Sequence, residues 1–241
     1  MERMIPLPIT TIFFDLDGTL LPMDQEQFVN QYTHRLAAYM APYGYDPKLL
    51  IKGLWTGTGA MMKNDGAMTN EALFWKIFCP IVGKDALVDL EKFDRFYRTD
   101  FQNVKEVCGF APQAAETVRR LKARGFRVVL ATNPLFPAVA TESRIRWAGL
   151  EPEDFELYTT YEISSYCKPN LAYYQEILDK LGLAAEECAM VGNDTGEDMI
   201  AESLGMKTFL LTDCLIRRSD VPLDTWPHGG FAELNQWLET L

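Results

Sequence analysis

The sequence predicts an α/β protein: a parallel sheet with helices on both faces, interrupted once by an inserted helical domain. Three observations carry that expectation. Apolar, β-rich runs recur at residues 9–16, 126–132, 187–192 and 207–213. Helical patterns at 112–125, 136–148 and 171–182 alternate with them, and strands separated by helices of this length form βαβ units and a parallel sheet. The interval 22–109 is too long for a loop within a compact domain, and its apolar residues fall at helical spacing. The chain is therefore expected to divide into a core, residues 1–21 plus 110–241, and a helical domain, residues 22–109.

Taken in order, the first run, ITTIFF, is nearly continuous in apolar and β-branched residues, as a central strand covered on both faces must be. It leads into DLDGTLL, and the aspartates there raise a chemical question. Residues i and i+2 of an extended strand project to the same side, so Asp15 and Asp17 should converge while Leu16 faces away. Like charges that close repel unless a cation lies between them or one carries a proton. Within the insertion, Phe28, Tyr32, Leu36 and Tyr39 lie near helical spacing, and Leu73, Phe74, Ile77 and Phe78 form a helical apolar face opened by Thr69. KDALVDLEKFDRFYRTDF continues the pattern. By contrast WTGTGAMMKNDG, residues 55–66, is rich in glycine and polar residues and is expected as a loop. It is either an ordinary helix connection or a specificity loop that brings Lys63 to substrate. The aromatics and methionines of this region are expected to be core. Further on, Gly125 and Gly182 stand where helix C-terminal caps belong.

The 241 residues suffice for a sizeable core, and their 48% hydrophobic and 24% charged content is ordinary for a globular protein. A net charge of −11 argues against general affinity for nucleic acid or anionic membranes, which need a basic footprint. It leaves open a small phosphorylated metabolite, since one lysine and a metal ion can outweigh the global field. The five cysteines are scattered and form no C-x-x-C pair, so neither a disulfide framework nor a zinc site is supported. MERMIPLPI has no uninterrupted apolar leader region and no run reaches membrane-spanning length. A soluble, cytoplasmic protein is expected. His34 and His228 have no partner pattern.

Four short stretches follow predicted strands or precede predicted helices: Asp15 and Asp17; Thr132 and Asn133 in LATNP; Lys168 in SYCKPN; and Asn193, Asp194, Glu197 and Asp198 in VGNDTGEDM. In open α/β sheets ligands bind at the carboxyl ends of the strands, so these stretches should gather there. Together they hold the parts for phosphoryl transfer through a covalent aspartyl intermediate. Mg²⁺ takes hard oxygen ligands, which Asp15, the backbone carbonyl of Asp17 and Asp194 can supply, with Asp198 behind Asp194 or reaching the ion through water. Lys168 adds a fixed positive charge and Thr132 a hydroxyl donor for a phosphoryl oxygen. Asp15 is then the nucleophile, and Asp17 carries the proton that the leaving group needs. Gly18 lets the backbone approach the phosphate. Each stretch also has a plainer reading: a strand-end Asp-Gly turn, a helix cap at Thr132, a solvated lysine, an acidic first helical turn.

At these residues the sequence resembles the phosphatase branch of the haloacid dehalogenase superfamily. DLDGTL matches that family's first motif, Thr132 its second, Lys168 with Pro169 its third and GNDTGED its fourth, in the right order. The resemblance implies a Rossmann-like core, Mg²⁺ dependence, phosphomonoester hydrolysis, and a cap that closes over the substrate, here residues 22–109. The fourth motif departs from the family's usual Gly-Asp start: here Gly192 is followed by Asn193 and then Asp194, and Asp194 is favoured for the metal. Rival readings are a phosphosugar mutase of the same superfamily and a non-catalytic module that binds a phosphorylated ligand or a protein. Dehalogenation is disfavoured, because in that branch the acidic residue at the position of Asp17 is typically absent.

Overall fold

The computed structural model describes residues 8–218 and 220–241. Residues 1–7, read above for a leader and as the start of the core, lie outside the described residues. Six parallel strands form one sheet in the order β3-β2-β1-β4-β5-β6: β1 Thr11–Phe14, β2 Arg127–Leu130, β3 Leu157–Tyr158, β4 Cys188–Gly192, β5 Lys207–Leu211 and β6 His228–Gly229. The order reverses at β1, which gives a Rossmann-like α/β sheet with its switch point between β1 and β4.

Alternation explains the unbroken apolar character of β1. Ile12 and Phe14 join the apolar cluster that holds α5 (Pro112–Ala123) and α8 (Phe231–Leu238), whereas Phe13 packs with Tyr173, Tyr174 and Ile177 of α7 (Leu171–Leu181) on the opposite face. Both faces of the strand are covered, and all four of its residues are buried, Thr11 included. The register pairs Phe14 with Leu130 on one side and Val191 on the other. It therefore sets the residues that follow these three strands side by side at the carboxyl edge.

The insertion contains α1 (Gln25–Met40), α2 (Pro47–Met61), α3 (Asn70–Val82) and α4 (Leu90–Arg98). Asp24 caps α1 through the Gln27 N–H at 3.0 Å, and Thr69 caps α3 through the Ala72 N–H at 3.3 Å, which satisfies donors the first turn leaves open. Its entry and exit run side by side: Met23 bridges Cys108, and the Gly109 N–H donates to the Pro22 carbonyl at 2.7 Å. A second attachment lies at the start of α3. There the Asn70 and Glu71 N–H groups each donate at 2.8 Å, to the carbonyls of Ser164 and Tyr161 respectively. The Asn70 side chain, fully buried, reaches the Pro134 and Tyr166 carbonyls at 3.3 Å.

One expectation is corrected here. Residues 55–61 are not loop but the last turns of α2. Two glycines of α2 serve contact rather than flexibility: a Cβ on Gly57 would come within 2.6 Å of the Phe74 ring, and one on Gly53 within 2.9 Å of Phe78. Helices α2 and α3 are close because these positions carry no side chain. Lys63, in the connection beyond the helix, is exposed. The short strands β3 and β6 and helix α8 were outside the predicted elements. Among the described residues no helix is long and apolar enough to cross a membrane.

Candidate active site

Asp15 follows β1 directly; its N–H donates to the Val191 carbonyl at 2.9 Å, and the residue is 7% exposed. The chain then folds tightly. The N–H groups of Thr19 and Leu21 both donate to the Leu16 carbonyl, and Gly18 N–H donates to Leu21. Gly18 makes this turn at φ +89°, in the left-handed region, and a Cβ there would collide with the Asn193 amide. Only glycine meets both conditions.

Lys168, 1% exposed, joins two carboxylates: Nζ donates to Asp15 Oδ1 at 2.9 Å and to Asp198 Oδ1 at 2.6 Å. Burial works against the ammonium charge, and Asp15 with Asp198 more than offsets it, so the group stays charged well above its ordinary range. Asp198, equally buried, also accepts from the Asp194 N–H at 2.9 Å. Burial pushes its carboxyl up to about 7, against the pull of Lys168. Its closeness explains Gly192, since a Cβ at that position would strike the Asp198 carboxylate.

Asp17 does not share the Lys168 cation. Its carboxylate pairs with Arg144, which reaches in from α6 (Ala138–Trp147) and is itself fully buried. Burial raises the Asp17 carboxyl, Arg144 lowers it and Asp15 raises it again; the net shift is upward. Its Oδ1 is buried without a hydrogen-bond partner. The two aspartates are thus kept tolerable by two separate cations, only one of which lies in the predicted stretches. Arg144 is steadied by the Phe136 ring 4.5 Å away, by the Thr141 hydroxyl at 3.2 Å and by the Ala140 carbonyl at 3.4 Å. Its signal in the sequence was a basic residue on the buried face of a helix, between Ala140 and Trp147.

The remaining predicted residues surround this centre. Thr132 is 2% exposed, and its carbonyl accepts from the Thr159 and Tyr173 hydroxyls at 2.6 and 2.8 Å. The Asn133 amide donates to Glu197 at 3.1 Å, and burial raises the Glu197 carboxyl. Asn193 spends its side chain on structure, accepting from Thr19 at 3.0 Å and donating to the Cys214 carbonyl at 2.6 Å. Of these two residues Asp194 is thus the carboxylate, while Asn193 is an amide spent on structure. Asp194 accepts the N–H groups of Gly196 and Glu197 at 2.8 and 3.0 Å, and pairs with Arg218, another residue sequence reading missed.

Among the described residues, no three His, Cys, Asp or Glu side chains converge as a ready metal cluster. What the site offers a cation is two carboxylates, Asp15 and Asp194, and the Asp17 carbonyl, to which no described backbone N–H donates. These are oxygen donors only, and they fit a hard ion such as Mg²⁺. The Asp17 carboxylate is paired with Arg144, and both oxygens of Asp15, Asp194 and Asp198 accept hydrogen bonds, so a cation would share its carboxylates with these donors.

Comparison with known proteins places the chain in a family. The family model for haloacid dehalogenase-like hydrolases matches residues 9–201. The chain belongs to that family. Among its relatives, phosphoglycolate phosphatase of Colwellia psychrerythraea is 25% identical over 202 residues, 83% of each chain. Pyrophosphatase PpaX of Bacillus cereus is 24% identical over 202 residues, 84% of this chain and 82% of that one. Among solved structures, 2-haloacid dehalogenase of Pseudomonas syringae superposes with a TM-score of 0.64 at 20% identity, covering 96% and 99% of the two chains. The HAD-hydrolase YfnB of Bacillus subtilis, bound to magnesium, gives 0.57 at 17% identity over 97% and 100%. At such identities the structures speak for the fold of this HAD-like hydrolase and no further.

Proposed function

We propose that this HAD-like hydrolase is a phosphatase that cleaves a small phosphomonoester through a phosphoaspartyl intermediate on Asp15, with Mg²⁺ as cofactor. The observation that carries the reading is the buried Lys168 ammonium joined to Asp15 at the carboxyl end of β1, with Asp17 two residues on and separately paired. An Asp15 oxygen attacks phosphorus, and the bond to the leaving oxygen breaks. Asp17, whose carboxyl burial already shifts toward the protonated form, gives its proton to that oxygen. Asp17 then takes a proton from the water that attacks phosphorus, and the Asp15–phosphorus bond breaks to release phosphate. Lys168 and the Thr132 hydroxyl stabilise phosphoryl charge, and the Asn133 amide adds a donor. Mg²⁺ held by Asp15, the Asp17 carbonyl and Asp194, with Asp198 behind, offsets the negative charge two anions bring together.

Relatives named as phosphatases support the reaction class, and the magnesium in the Bacillus subtilis structure supports the ion. In this reading residues 22–109 are the cap over a core of 1–21 plus 110–241, an assignment supported by the Pro22–Gly109 crossing. The substrate is a small phosphorylated metabolite rather than nucleic acid. Five free thiols are in keeping with a cytoplasmic protein. The test is phosphate release from a panel of sugar phosphates, nucleotides and phosphoglycolate, with Mg²⁺ and with EDTA. Release should need the metal and fall roughly 10³-fold or more in Asp15→Asn; turnover that survives that substitution would sink the proposal.

A further inference from the structure

A chamber of about 190 Å³ lies between α1, α3 and α4 of the insertion and the loops that follow β2 and β3. Packed interiors leave few voids larger than one water, and this one is well above the size that a single water needs. Its walls are largely aromatic: Phe74, Trp75, Phe93, Tyr97 and Tyr161.

Its charge is all of one sign. Glu71, Asp94 and Glu162 line it, and among its described lining residues there is no lysine or arginine. Asp94 has a cation of its own, Arg98 at 2.7 Å. Glu71 and Glu162 have no ion-pair partner among the described residues. Glu162 accepts the Ala138 N–H at 2.8 Å through Oε1, while Oε2 is buried without a partner. Burial and the neighbouring Glu162 charge both push the Glu71 carboxyl up. Two neighbouring carboxylates repel unless one carries a proton or a cation joins them, and a chamber that both of them line has room for the cation. The Trp75 indole N–H, 8% exposed as a residue, lies near the Tyr161 hydroxyl but falls short of hydrogen-bond geometry. It is left as a donor for an acceptor atom on the occupant.

We propose that this chamber binds a small organic ammonium ion, an alkylated amine bearing an oxygen acceptor, as the non-phosphorylated end of the substrate. A bare divalent ion would demand several converging oxygen ligands, and among the described residues no three acidic, histidine or cysteine side chains converge, whereas weakly hydrated ammonium groups are held by aromatic faces and neighbouring carboxylates. The chamber belongs to the same loops as the candidate active site. Leu135 and Pro137 follow Thr132 and Asn133, and Tyr161 and Glu162 stand on the segment that leads to Lys168. Only the assignment to substrate rests on the phosphatase reading; the binding of the ion does not.

The test is titration calorimetry on the full chain with choline and with 3,3-dimethylbutan-1-ol, its uncharged carbon counterpart. Choline should bind at least about tenfold more tightly. Glu71→Gln with Glu162→Gln should erase the difference, with the fold checked by circular dichroism, and Trp75→Phe should weaken both compounds, since each carries the hydroxyl oxygen. Equal affinity for the two compounds, no choline binding at tens of millimolar, or unchanged binding in the double glutamine variant would overturn the site. Asp15→Asn should bind choline like the wild type, which separates failure of the chamber from failure of the hydrolase reading. A second arm compares kcat/KM for phosphocholine and for the phosphate of the uncharged alcohol. A preference lost in the glutamine variant ties the chamber to substrate. Selective choline binding with equal turnover of the esters keeps the site and assigns it to a free ammonium ion.

Discussion

The carboxyl edge of the sheet and the helical insertion handle buried polarity in opposite ways. At the sheet edge, charges are buried in quantity and each is answered: Lys168 by Asp15 and Asp198, Asp17 by Arg144, Asp194 by Arg218. In the insertion, rings pack against rings, as Phe74 on Phe78 and Trp75 on Phe93, and only Asp89 is a well-satisfied buried charge. An arrangement made for chemistry tolerates desolvated charge in exchange for position, whereas one made for shape relies on apolar area. The contrast means that substitutions at the edge should damage stability and activity together, while those in the insertion should separate them.

Lys168→Met gives the largest expected effect. It strands two buried carboxylates, with a stability loss of about 3–5 kcal/mol and a fall in turnover of roughly 10²–10³-fold or more. Urea melts read the first and phosphate release the second; a stable, inactive variant would break the argument that Lys168 also holds the site together. Arg144→Met should cost somewhat less, about 2–3 kcal/mol, because the Asp17 side chain keeps some solvent contact. Adding Asp17→Asn should recover part of that loss. A double variant no more stable than Arg144→Met alone would show that Arg144 serves packing rather than Asp17.

Asp89 sharpens the other side of the comparison. It accepts from Lys84 at 2.7 Å, Lys92 at 2.5 Å and the Tyr45 hydroxyl at 2.9 Å, and the hydrogen bonds from Lys84 and Lys92 hold its carboxyl well below the usual range. A depressed carboxyl adds stability above its unfolded pKa, near 3.9, and loses it as pH falls toward the folded value. Asp89→Asn should therefore lower stability by about 1–3 kcal/mol at pH 7, with the gap to wild type narrowing on acidification below about pH 4. Melting curves from pH 7 to 2 test it, and a gap independent of pH would contradict the ion-pair account. Gly57→Ala should have the smallest effect, about 1–2 kcal/mol, as the new methyl pushes Phe74 aside. Catalysis at saturating substrate should change little, so a large loss of kcat would show that α2–α3 spacing reaches the sheet edge.

The two regions also differ in how far the sequence discloses them. Asp15, Lys168 and Asp198 meet in space, although they lie 153 and 30 residues apart along the chain. They were legible because phosphoryl chemistry demands specific residue types at strand ends. The four long strands were legible for a related reason: burial on both faces leaves unbroken apolar runs. Arg144 was not, since an arginine in a helix looks like surface until its partner is known. The helical end of α2 was hidden by Gly53 and Gly57, which propensity counts against a helix and only the ring on the neighbouring helix explains. Strands β3 and β6, of two residues each, are too short for any period to show.

The second attachment of the insertion has a mechanical consequence. A plate fixed along one edge swings freely; fixed at a second place, it is clamped. Rotation about the Pro22–Gly109 crossing must tear Asn70 from the Pro134 and Tyr166 carbonyls and α3 from Ser164 and Tyr161. Those carbonyls belong to the segments that bear Asn133 and Lys168. If residues 22–109 act as the proposed cap, lifting them slackens the loops beneath, so admission of a molecule and tightening of the groups around it become a single event.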